Sequence, residues 1–209
     1  MNLSNLKPKY TKCLGPSSVS QSLTDNSCHL QLWLQNRFKS ENNDSIFLER
    51  YKLQHASALN NLISYLGKRH PEAKIDSEIQ LPVVEFYGVS FFGIVDCILT
   101  FPDGSVAIYD VKTGSRKSSH WLQIAIYYLM LKAVARSKGK QLPKLSCLGL
   151  FYADGKLPLD DEMMEKSILE LKGDSVIDEI FLEGTKKKLI EILKVTSQNN
   201  LPNSTPSLN

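Results

Sequence analysis

Cysteine is scarce in this chain: four residues in 209, at positions 13, 28, 97 and 147, no two of them at Cys-x-x-Cys spacing. That spacing offers neither a zinc ribbon nor a disulfide framework, and the four read as cytosolic thiols. Long apolar runs are missing too. No stretch approaches the ~18 residues of a membrane helix, so no membrane partner is expected. The opening MNLSNLKPKYTKCLGPSS lacks the apolar centre of a secretory signal, and a cytoplasmic location is the expectation. Glycine (11) and proline (9) are too few for a collagenous chain. Net charge is small, +3 from 25 basic and 22 acidic residues, which permits a nucleic-acid partner without arguing for one.

The charge is unevenly placed. Residues 132–144 hold five basic residues and no acid, whereas residues 154–183 hold ten acids against three lysines. Only the first segment could lie along phosphates, which makes Lys132 and Arg136 candidates for DNA contact. Arg116 and Lys117 are further candidates. The acidic segment is the one feature that hints at a protein partner, and an acidic helical face is usually just solvated.

Chain punctuation predicts one α/β domain over 17–196, after an irregular lead-in (1–16) and before a polar, disordered tail (197–209). Helices are expected over 17–36, 46–68, 118–137, 159–171 and 175–195. The 46–68 helix is read from Ile46, Leu48, Leu53, Ala56, Leu59, Leu62 and Leu66 at roughly helical spacing. Runs rich in Ile, Val, Phe and Tyr predict strands over 73–81, 89–101, 105–113 and 145–152. The last, apolar almost throughout, is expected to be central. The result is a small mixed sheet: a three-strand meander and a fourth strand reached by a crossover helix, with helices around it.

Pro102-Asp103-Gly104 separates two of these strands and is a strong hairpin signal. Facing residues in a hairpin have numbers of constant sum. A turn centred on Asp103 makes that sum 206, so Asp96 and Asp110 should face each other, with Lys112 on the same face as Asp110. Two facing carboxylates in an apolar sheet repel unless a cation lies between them. A divalent ion with hard oxygen ligands, Mg²⁺ or Mn²⁺, would serve. With Lys112 beside it, the set is suited to attack of water on a phosphodiester. The plainer reading has both aspartates facing solvent. On the next helix Gln123 and Tyr127 share a face. They could reach a phosphate or a base, or be a Tyr buried by its ring with a Gln at its rim. His55, alone on the long early helix, could be structural or a ligand.

In that order and at that spacing, GIVD (93–96), DVKTG (110–114) and QIAIY (123–127) resemble the PD-(D/E)XK nuclease superfamily. They are most similar to its RecB-like exonuclease branch, with the CRISPR-associated RecB-like exonuclease and AddB nuclease domains. The resemblance runs from about Ser17 to Tyr152 and implies a restriction-endonuclease-like core. It also implies roles. Asp96, Asp110, the Val111 carbonyl and His55 (in RYKLQHASAL) would hold Mg²⁺ or Mn²⁺. Lys112 would position or polarise the attacking water, and Gln123 and Tyr127 would contact the DNA strand. Many RecB-like relatives hold an iron–sulfur cluster on one upstream Cys and three downstream. Here Cys28 could be the first, but only Cys147 follows Tyr127, so no cluster is expected. The expected activity is a metal-dependent DNA nuclease, an exonuclease working at ends or on single strands in repair, recombination or CRISPR-type DNA processing. A partner of the helicase or CRISPR-adaptation type is possible. The alternative is a non-cleaving DNA- or partner-binding module on the same fold. The complete Asp96, Asp110 and Lys112 set weighs against it.

Overall fold

The computed structural model describes residues 13–24, 46–86, 89–153, 159–172 and 175–197. Cys28, the second half of the expected 17–36 helix and the polar tail from 198 lie outside the described residues. The elements run α1 (Pro16–Thr24), α2 (Ile46–Arg69), β1 (Lys74–Gln80), β2 (Val84–Phe86), β3 (Val89–Phe91), β4 (Ile94–Thr100), β5 (Val106–Lys112), α3 (Ser118–Ser137), β6 (Leu145–Tyr152), α4 (Asp161–Ser167), β7 (Ile168–Lys172) and α5 (Ser175–Ser197). The main sheet has the order β1-β4-β5-β6-β7, and β2 pairs with β3 in a separate small hairpin. Among the described residues no helix is long and apolar enough to cross a membrane.

The β4–β5 hairpin forms in the expected register. Cys97 faces Tyr109 and Thr100 faces Val106, each pair summing to 206. Gly104 takes φ +80, and the Asp103 carboxylate accepts hydrogen bonds from the Ser105 N–H and hydroxyl, which closes the turn. After β5 the chain crosses through α3 and returns as β6, parallel to β5. As its composition predicts, β6 is interior.

Two apolar cores lie on the two sides of the sheet. One joins α1, α3 and α5 to Val95, Ile98, Ile108 and Leu150. The other joins α2 and α4 to Cys97, Leu99, Tyr109 and Val111. Helix α2 contributes Ala58, Leu59, Leu62 and Leu66 to the second core. Leu53, counted above in its apolar set, is instead 73% exposed. At 100° per residue it lies about 120° from Leu59, whereas His55 lies only about 40° away, on the buried stripe.

Three expectations fail. The single strand expected over 89–101 is broken at Phe92-Gly93, and its first part, β3, turns away to pair with β2. The helix expected over 159–171 ends at Ser167. Asp160 caps its start by accepting from the Met163 N–H at 2.8 Å, and residues 168–172 become β7, an edge strand on β6. The sheet therefore has five strands rather than four. Ile168, Leu169 and Leu171 satisfy either period in so short a run, and the open edge of β6 decides between them.

Candidate active site

The hairpin register that would set Asp96 opposite Asp110 holds up to the pair before them. The β4–β5 ladder stops at Cys97–Tyr109, one pair short of the aspartates. In place of the next backbone bond, the Val111 N–H donates to Asp96 Oδ2 at 2.7 Å. The β1–β4 ladder also skips this position. Ser77 pairs with Cys97 and Ile79 with Val95, and Glu78 between them has φ +50. Backbone irregularity on both flanks leaves Asp96 out of both ladders. His55 Nε2, reaching in from α2, lies 3.2 Å from the same Oδ2. Val111 N–H and C=O point to the same strand edge, so the Val111 carbonyl also faces the Asp96 side.

Asp110 is 2% exposed and the other half of the constellation closes around it. Its Oδ2 lies 2.5 Å from Lys112 Nζ, a charge contact without the alignment of a hydrogen bond. Gln123 Nε2 donates to Asp110 Oδ1 at 3.2 Å, and Lys112 Nζ donates to Gln123 Oε1 at 2.9 Å. Burial raises the Asp110 pKa above the ordinary carboxylate value, and Asp96 adds to the effect while Lys112 opposes it. The hydrogen bond to Asp96 raises His55, against the desolvation that would lower it.

Gln123 and Tyr127 are both buried. Gln123 is 7% exposed and spends both ends of its amide on Asp110 and Lys112. Tyr127, 6% exposed, is buried by its ring, the plainer of the two alternatives. A Cβ on Gly93 would sit 2.7 Å from Tyr127 Cε1 and 3.2 Å from the Pro16 ring. The glycine of the GIVD run thus makes room for the tyrosine of the QIAIY run, and the two motifs meet as packing partners.

A polar hollow of about 310 Å³ opens beside Lys112 and Gln123. Helices α1 and α2 contribute Ser17 and Tyr51 to its lining, and the β5–α3 connection and the first turn of α3 contribute Lys117 and His120. Helix α3 begins after Lys117 with no side-chain cap. Arg116 stacks over the Tyr152 ring at 5.2 Å. Lys132 and Arg136 are not brought to this hollow. They line a different one, between α3 and α5, with Leu129, Glu183, Lys186 and Leu193. Nine and thirteen residues beyond Gln123, they lie about 14 and 20 Å along the helix. His120 was missed by the sequence reading. Its place three residues before Gln123, on the same helix face, was the available signal.

Among the described residues no three His, Cys, Asp or Glu side chains gather around one point. The chain's own donors hold the carboxylates instead: His55 and the Val111 N–H on Asp96, Lys112 and Gln123 on Asp110. The donor types still fit a hard divalent ion. They comprise two carboxylates on neighbouring strands, a backbone carbonyl and an imidazole, and the buried Asp110 Oδ2 lacks an aligned hydrogen bond. Cys97 and Cys147 are buried in β4 and β6, and burial pushes both thiols up to about 12.

The PD-(D/E)XK nuclease superfamily model matches residues 14–198. The chain belongs to the PD-(D/E)XK nuclease superfamily. The five-stranded mixed sheet and its flanking helices are the restriction-endonuclease-like core of that superfamily. Solved structures similar to this nuclease include the crystal structure of SSO0001, at 15% identity and TM-score 0.43, covering 96% of this chain and 82% of that one. Another is an alkaline exonuclease (LHK-Exo) from Laribacter hongkongensis, at 14% identity and TM-score 0.38, covering 87% and 90%. No curated protein matches the sequence.

Proposed function

We propose that this PD-(D/E)XK nuclease is a Mg²⁺- or Mn²⁺-dependent deoxyribonuclease of the RecB-like branch, cutting DNA as an exonuclease at ends or in single strands. One observation carries the reading. Lys112 Nζ is held between Asp110 and Gln123, where the polar hollow opens. A half-buried, oriented ammonium against a buried carboxylate is a poor stabiliser of a fold and a good device for phosphoryl chemistry. The Q-x-x-x-Y match to the RecB-like pattern gains a physical sense, since Gln123 aligns Lys112 and Tyr127 seats α3 on Gly93.

Asp96, Asp110, the Val111 carbonyl and His55 would hold the ion, which supplies Lewis-acid charge neutralisation at the scissile phosphate. Lys112 orients the attacking water and faces the charge that develops as the phosphorus–oxygen bond breaks. Gln123 keeps the ammonium from collapsing wholly onto Asp110. Lys117, exposed at the hollow, offsets backbone phosphate charge.

The pKa directions give a test. His55 and Asp110 both keep their protons to higher pH in the folded chain than in the unfolded one. The stability linked to His55 is complete below its ordinary 6.5 and is lost as pH rises through the folded value. For Asp110 it is present below 3.8 and lost as pH rises through its raised value. An ion can bind only when both have lost their protons. The rise in melting temperature on adding Mn²⁺ should therefore grow as pH climbs above 6.5 and through the raised His55 value. A rise that shrinks over that range would remove these groups from the ion site.

The activity itself is tested with end-labelled single- and double-stranded DNA, with and without Mg²⁺ or Mn²⁺. Stepwise shortening from an end that requires the ion supports the proposal. Binding without cleavage in every ion would favour the non-cleaving module.

A further inference from the structure

His120 lies in the first turn of α3 and lines the hollow together with Lys112 and Lys117. Its Nδ1 is 3.0 Å from the Tyr152 hydroxyl oxygen. With the Tyr152 hydroxyl hydrogen pointed at His120, Nδ1 is the acceptor of this contact. A donor aimed at Nδ1 fixes the tautomer. The ring proton must then sit on Nε2, the nitrogen left for the hollow. The nearby charges are Lys112 and Lys117, both cationic, and with burial as the largest cause they push the imidazole down to about 4. The ring is therefore neutral and is a donor only at Nε2. Thr113 lines the same hollow, and its buried hydroxyl has no partner among the described residues.

From this geometry we infer that His120 contacts substrate. Its Nε2–H donates to a non-bridging phosphate oxygen of the nucleic-acid strand, next to the phosphate that Lys112 serves. The inference rests on the nuclease reading above and adds to it a neutral phosphate-contacting residue outside the aspartate–lysine constellation. Tyr152 is a positioning residue in this scheme, since it acts through the imidazole.

A neutral donor and a cation differ in how their loss responds to salt. Removing a cationic phosphate contact removes a released counterion and flattens the salt dependence of binding; removing a neutral one weakens binding at every salt concentration alike. The experiment is a fluorescence-anisotropy titration of a labelled single-stranded oligonucleotide in Ca²⁺ at several salt concentrations. Wild type, His120→Ala, His120→Gln and Lys117→Gln are compared, with KM and kcat measured in Mg²⁺. For His120→Ala, Kd and KM should rise on the order of 10-fold, the worth of a hydrogen bond to a charged group, with the wild-type salt slope kept. His120→Gln should recover much of the loss, because its amide N–H reaches about where Nε2–H lies. Lys117→Gln should lower the salt slope by about one. Wild-type affinity in His120→Ala, or a slope lowered by about one in that variant, would overturn the inference. So would equal losses in the Ala and Gln variants. Failure of the wild type to bind the oligonucleotide would overturn the nuclease reading, and this inference with it.

Discussion

Lys112→Ala is expected to stop cleavage while sparing DNA binding. The ammonium has no lone pair for a metal, and it sits against Asp110 and Gln123 at 2.5 and 2.9 Å, where a reacting phosphate would meet it. Its work falls at the moment of attack, when charge develops on the phosphate. Electrostatic stabilisation of that kind is worth roughly 100- to 1000-fold in rate. The substitution also has a structural signature. Lys112 is the cation in contact with the 2%-exposed Asp110 carboxylate, so its loss leaves that charge buried and less compensated. Without metal the variant should melt below wild type. With Mn²⁺ the gap should close, since the ion supplies the missing positive charge, and metal affinity should hold or rise slightly. Single-turnover cleavage beside a Ca²⁺ binding titration reads both effects. Near-normal cleavage would remove Lys112 from the mechanism and seriously weaken the nuclease reading of this hairpin.

Gly93→Ala should damage fold and site together. The added methyl would lie 2.7 Å from Tyr127 Cε1 and 3.2 Å from the Pro16 ring, both packed against the start of β4. Overpacking of this kind costs about 1–3 kcal/mol, which in a chain of this size lowers the melting temperature by about 3–10 °C. Tyr127 is one helical turn beyond Gln123. A shift of α3 that relieves the clash would also pull Gln123 from Asp110 and Lys112, and activity should fall further than stability alone explains. A double-mutant cycle with Tyr127→Leu separates the causes. If the clash is with this ring, the pair should be coupled by about 1 kcal/mol or more. Additive effects would place the conflict elsewhere.

The β4–β5 hairpin was largely legible in the sequence, because an Asp-Gly turn fixes where facing residues lie and the strand positions of Asp96, Asp110 and Lys112 follow by counting. His55 could be placed on α2 but not aimed. Its approach to Asp96 depends on how α2 packs on the sheet, which Leu59, Leu62 and Leu66 decide only in three dimensions. The early end of β4 escaped because apolar residues dominate Val89–Thr100 on both sides of the break. Nothing in its period shows that Gly93, pressed by Tyr127, divides it. Residues 168–172 look helical until the open edge of β6 is known. Gln123 and Tyr127 were found by motif, yet their surroundings are internal: amide and ring serve the constellation and the core. The basic run from Lys132 was visible as charge, but helix length carries it away from the hollow that holds Lys112. His120 had no motif to announce it, and it gains meaning only from Tyr152, thirty-two residues later on β6.

The measurement closest to the central claim is the melting temperature with and without Mn²⁺ for wild type, Asp96→Ala and Asp110→Ala. If the two carboxylates hold one ion, Mn²⁺ at about 100 times its Kd should stabilise the wild type by about 2.7 kcal/mol, or about 5–10 °C. Neither variant should show that rise. An equal rise in all three proteins would mean that the ion binds elsewhere, and that the facing aspartates of the β4–β5 hairpin do not share it.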